Sequence, residues 1–172
     1  MAQQLTLEDA QQSLTGHVAS KGQEIRDKYG PQIGWSEMQR ILEDRTCVRY
    51  PVELVFDDTP LRDGEFAHPI ARGELPEDGY RLYVHPFFSV EPGLVPALVL
   101  YQLVLVNYGD FASPEDAEVF GSTVLGISRD EYYGMLCAAS DSISEGTGMQ
   151  APEPAHSHDG DGCGCGGGCS CH

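Results

Sequence analysis

Apolar residues recur at helical spacing near the start of the chain, where Leu7, Ala10, Leu14, Val18 and Ile25 fall on one face among polar neighbours. Thr6, followed by Glu8 and Asp9, supplies the start of that predicted helix, and Lys28-Tyr29-Gly30-Pro31 supplies its end. Ser36 is the expected cap of a short second helix over residues 37–44. The pattern then changes. Residues 48–56 are β-branched and aromatic, residues 66–72 form a shorter run, and residues 80–88 alternate Leu82 and Val84 against Tyr83 and His85. Gly64, Gly73 and Gly79 punctuate the turns, so these three runs read as strands of one small sheet.

Residues 94–107 are apolar but for Gln102 and Asn107, and periodicity alone cannot tell a buried strand from a buried helix there. Length, Pro96 in the first turn and the Asn107-Tyr108-Gly109 ending favour a helix buried on most sides. Two further helices have clear starts. Ser113-Pro114-Glu115-Asp116 places a capping hydroxyl, a first-turn proline and acids at the positive helix end. Ser128-Arg129-Asp130-Glu131 is a capping box for a helix through about Ser140. The order predicts an α+β fold: N-terminal helices, a small sheet of about three strands, then three C-terminal helices.

The pattern stops near Gly146. From Ala151 to His172 there is no Leu, Ile, Val, Phe, Tyr, Trp or Met, so that segment has nothing with which to build a core. The expected division is an acidic globular domain over 1–146 and a linker plus disordered Cys/Gly/His-rich tail over 147–172. The chain has 172 residues, with 27 acids against 10 Lys and Arg and a net charge of −17. Only Glu153, Asp159 and Asp161 of those acids lie in the tail, so the acidity belongs to the body. That balance argues against nucleic acid or an anionic membrane surface as a partner, and for a protein partner with a basic surface. The longest apolar run, 94–106, is too short to span a bilayer core of about 30 Å. The Met-Ala-Gln-Gln-Leu start has no basic, apolar signal pattern, so the expected location is cytoplasmic.

Six cysteines are present, and four of them, Cys163, Cys165, Cys169 and Cys171, stand within the last ten residues. Two Cys-x-Cys pairs are separated by three glycines and flanked by His156, His158 and His172. Thiolates suit Zn²⁺ and Cu⁺, and imidazole suits Zn²⁺, Ni²⁺ and Cu²⁺. Each pair can chelate an ion through two sulfurs, and four sulfurs close a tetrahedral shell. The tail therefore resembles metallothionein-type Cys-x-Cys clusters, and departs from zinc-finger and ferredoxin spacings. Cys47 and Cys137 stand apart in sequence and read as small core residues.

His68 and His85, each followed by proline on a predicted strand, form a second candidate. Facing one cavity beside Glu65 or Glu74, they would make a metal or acid/base site; alternatively, each His-Pro simply ends or edges a strand. Helices, a small sheet, then a buried helix running into Asp116-Ala117-Glu118-x-Phe120-Gly121 also resemble, over residues 48–125, the layout of zincin-like metallopeptidases. The matching helix, Leu100-Tyr101-Gln102-Leu103-Val104-Leu105, lacks the His-Glu-x-x-His of that family. The resemblance puts Gln102 where the general base would be and Glu118 where the third ligand would be, and implies lost zinc hydrolysis. A simpler reading of Gln102 is a buried amide tying its helix to a neighbour.

Three functional classes follow. The leading one is soft-metal handling through the tail, by delivery, buffering or insertion into an apoenzyme. The others are a catalytically inactive zincin-like scaffold, or an enzyme, with an accessory tail, and a leader whose Cys/Gly tail is the substrate of a peptide-modifying enzyme.

Overall fold

The computed structural model describes residues 7–147. Helix α1 (Leu7–Tyr29) closes where expected, with the Gly30 N–H donating to the Arg26 carbonyl at 2.7 Å. Thr6, its expected cap, lies outside the described residues. Helix α2 (Trp35–Glu43) begins before Ser36, which corrects the expected cap. Gly34 holds that place, and its N–H donates to the Glu37 carboxylate at 3.1 Å. A carboxylate three residues on satisfies an orphan amide as well as a hydroxyl would, and it leaves Ser36 inside the first turn.

Asp44, just past α2, joins the two helices. Its carboxylate receives the Lys28 ammonium at 2.5 Å and the Tyr29 hydroxyl at 2.8 Å from the end of α1, and the Thr46 N–H and hydroxyl at 2.9 and 2.7 Å. The Cys47 thiol adds a fifth donor at 3.2 Å.

The sheet has three strands, β1 (Val52–Phe56), β2 (Ala67–Ala71) and β3 (Tyr80–Val84), in the order β1-β3-β2. β3 is central, parallel to β1 and antiparallel to β2. All three are shorter than predicted. Val48 belongs to the core rather than to β1, because Asn107 takes up the backbone on both sides of it: Arg49 N–H donates to its Oδ1 at 2.8 Å, and its Nδ2 donates to the Cys47 carbonyl at 3.3 Å. β3 stops before His85-Pro86, where a short 3₁₀ turn (Pro86–Val90) begins.

The buried helix is α3 (Val95–Tyr108), so the ambiguous apolar run is helical. Its flanks are α4 (Pro114–Leu125) and α5 (Arg129–Thr147), which runs on past the expected end at Ser140. Both caps match expectation. The Asp116 N–H donates to Ser113 Oγ at 3.2 Å while the Ser113 N–H donates to the Asp116 carboxylate at 2.9 Å. Ser128 and Glu131 repeat that arrangement. Asp116 is fully buried and also accepts the Thr15 hydroxyl at 2.6 Å, which fixes α4 against α1. Burial pushes its carboxyl up, but the donors from Thr15 and Ser113 outweigh that and hold it below the usual range. Gly121 lets α4 approach α5 closely: a Cβ there would lie 2.2 Å from the Tyr132 ring. The architecture is α+β, with one core between the sheet and the helices.

The Lys28 ammonium first, and then Thr46, hold the Asp44 carboxyl well below the usual carboxylate range. A depressed folded-state value means that stability is fully present above the unfolded value of about 3.9 and is lost as pH falls below it. Asp44→Asn is therefore expected to cost about 1–2 kcal/mol near neutral pH, a modest figure because Lys28 is half exposed. Urea unfolding across the acid range should show the gap to wild type closing from about pH 4 downward. A gap that is constant with pH would show that the charge of Asp44 does not contribute.

Candidate functional site

The tail residues singled out from the sequence, His156, His158, Cys163, Cys165, Cys169, Cys171 and His172, lie outside the described residues. What the structure describes is the helix that leads toward them, α5, and the other candidates on the body.

His68, on β2, and His85, just past the end of β3, are both partly exposed. They do not converge on a shared acid. His68 Nδ1 lies 3.1 Å from Glu65, whereas His85 Nε2 lies 3.6 Å from Asp58. His85 Nδ1 accepts the Phe87 N–H at 3.2 Å, which caps the 3₁₀ turn and closes β3. The His-Pro step at 85 thus ends a strand, and a lone pair that a metal would need is engaged by a backbone amide. Glu74 pairs with neither imidazole among the described residues. No three His, Cys, Asp or Glu side chains are grouped to share an ion among the described residues.

Gln102 is buried and points from α3 to the sheet, where its Nε2 donates to the Ala67 carbonyl at 2.7 Å. That bond accounts for a polar residue in an otherwise apolar helix. Glu118, on α4, is largely buried and takes the Arg129 Nε at 2.6 Å. Glu118 also borders an open, mainly apolar groove of about 210 Å³ with Phe66, Tyr101, Tyr133, Leu136 and Cys137. Burial first, and then the Glu118 charge, push the Tyr101 phenol up, so it is a neutral hydroxyl near pH 7.

Two features escape a reading of the sequence. Tyr133 and Cys137 are one helical turn apart, and that i,i+4 spacing was the available signal for their shared face. The other is a cavity between α1, the 45–49 segment and the end of α3, lined by His17, Lys21, Arg45, Arg49, Asn107 and Tyr108. Its residues come from three separate stretches, so no local spacing announces it. Comparison with family models, with curated proteins and with solved structures finds no match.

The bond from Gln102 to the Ala67 carbonyl can be tested by two substitutions. Gln102→Leu, which leaves the carbonyl without its donor, is expected to cost about 1–3 kcal/mol. Gln102→Glu should cost more at neutral pH, because an ionised carboxylate presents only acceptors to a carbonyl. Burial raises the folded-state value of that new acid, so its extra penalty should vanish as pH falls toward the ordinary Glu value of about 4.3. Thermal or urea unfolding measures both, and no loss in Gln102→Leu would mean that the amide donor contributes nothing.

Proposed function

We propose that the protein handles a soft metal ion through its C-terminal Cys-x-Cys pairs, with the α+β body serving as the part a partner recognises. The observation that carries this reading is the spacing Cys163-x-Cys165-Gly-Gly-Gly-Cys169-x-Cys171, with His156, His158 and His172 beside it. Two sulfurs of each pair bind one ion, and three glycines carry no Cβ to obstruct the second pair from closing a four-sulfur shell. Zn²⁺ and Cu⁺ are the ions of choice for thiolates, with Ni²⁺ drawn to the imidazoles. Because thiols must lose protons to bind, capture weakens as pH falls.

Charge distribution supports the role of the body. From Leu82 to His172 the chain carries a single base, Arg129, and that base is paired with Glu118. Of the charged Asp, Glu, Lys and Arg residues in the stretch of chain that leads into the tail, all but Arg129 are therefore acidic. Such a charge balance favours docking on a basic partner, with an association rate that falls as salt rises.

Replacing Cys163 and Cys165 together by Ser leaves one chelating pair. That change is expected to lower Zn²⁺ affinity beyond the roughly 10–100-fold typical of outer-shell substitutions. Replacing Cys47 and Cys137 should leave it unchanged. Competition with a chromogenic chelator at neutral pH, under reducing conditions, reads both directly. Equal affinity of wild type and the tail variant would remove the Cys-x-Cys pairs as the site and the proposal with them.

Separation of body and tail makes its own prediction. The segment after Gln150 has no large apolar side chain to bury, so truncation there should shift unfolding free energy by less than about 0.5 kcal/mol. A larger loss in thermal unfolding would show that the tail packs on the core.

A further inference from the structure

The cavity between α1, the 45–49 segment and the end of α3 is out of character with the rest of the molecule. In a chain with 27 acids and 10 Lys and Arg, its wall carries Lys21, Arg45 and Arg49 together with His17, and no carboxylate. Its volume is about 330 Å³, enough for a small ligand. We infer that this cavity binds a small phosphate-bearing anion of two or more negative charges, such as a diphosphate.

The cations come from two separate stretches of the chain, which the fold brings together. Lys21 comes from α1, Arg45 and Arg49 from the segment between α2 and β1. Arg45 and Arg49 form no ion pair with a carboxylate among the described residues; Arg45 Nη1 reaches only the Val48 carbonyl, at 3.4 Å. Two guanidinium groups left in this state offer forked donors that match phosphate oxygens. Lys21 is held at 2.5 Å from Glu24, which lies outside the cavity wall. Asp44 accepts the Thr46 hydroxyl and the Cys47 thiol, both on the wall, and is itself paired with Lys28.

The floor is rigid. Asn107 is buried and locked by its bonds to Arg49 N–H and the Cys47 carbonyl. Tyr108 stands edge-on to the His17 ring, with centroids 5.7 Å apart, and burial keeps its hydroxyl protonated as a further donor. The end of α3 opposes an anion with a partial charge of about −0.5, against two unpaired guanidinium groups and the paired Lys21 on the wall. Size selects the ligand class. A nucleic acid would bring its whole backbone against a molecule of net charge −17, whereas a small anion meets only the local cationic field.

The experiment titrates sodium pyrophosphate into the full-length, reduced, EDTA-treated protein by calorimetry, at fixed ionic strength in a phosphate-free buffer. One saturable site is expected. Arg49→Gln and Lys21→Gln, both on the cavity wall, should each weaken it by about tenfold or more. Arg129→Gln, which removes a cation that does not line the cavity, should leave it unchanged. A variant with Ser at Cys163, Cys165, Cys169 and Cys171 should bind pyrophosphate as wild type does, so this result is independent of the metal-handling reading. Citrate, which carries comparable charge without phosphorus, should bind more weakly. The proposal is overturned by the absence of a saturable site in the wild type, by binding that survives the combined Lys21 and Arg49 substitutions, or by citrate or a single-stranded oligonucleotide binding more tightly than pyrophosphate.

Discussion

Everything in this fold answers to the need to enclose α3. Eleven of its 14 residues are buried, on every side rather than along one stripe. Each Leu or Val taken out of water contributes about 1.5–3 kcal/mol, so a helix of this composition is stable only when surrounded. The sheet covers one flank through Leu82, Val84 and Ala67, and α4 and α5 cover the other with Phe120, Val124, Tyr132 and Ala139. Two polar residues set its orientation. Gln102 binds the Ala67 carbonyl of β2, and Asn107 binds the backbone on either side of Val48. With the Tyr132 hydroxyl donating to the Ala97 carbonyl at 2.6 Å, the helix is tied at its start, middle and end. Apolar contacts alone would allow it to rotate or slide; directed bonds in a dry interior do not.

That enclosure also distributes the charge. With the core occupied by apolar helices, ionisable groups are driven to the rim, and the bases concentrate toward the N-terminal helices and the sheet while the later half of the chain is acidic. Against that excess of acid, the cavity lined by Lys21, Arg45 and Arg49 stands out as a local concentration of cations. Asp44 binds the end of α1 to the segment after α2 and holds Cys47, a residue of the cavity wall, through its thiol.

Much of the fold was legible because it depends on local rules. The capping boxes at Ser113 and Ser128, the terminating Gly30-Pro31 and the change of period after α2 each read correctly from a few neighbouring residues. Errors arose where a local signal met a tertiary competitor. Ser36 lost the cap of α2 to Gly34 because Glu37 reached back to its amide. Residues 48–51 look like strand, but Val48 is drawn into the core and Asn107 occupies the backbone beside it.

The sequence by itself determined the α+β class and the order of the main helices and strands, since those rest on periodicity and capping within short spans. Only the tertiary structure decided what the paired features meant. His68 and His85 each meet their own carboxylate, because the fold brings Glu65 to one and Asp58 to the other. Gln102 is bound to β2 because α3 lies across that strand. Lys21, Arg45 and Arg49 look unrelated along the chain, and they become one cationic wall only when α1, the 45–49 segment and the end of α3 close around the same space.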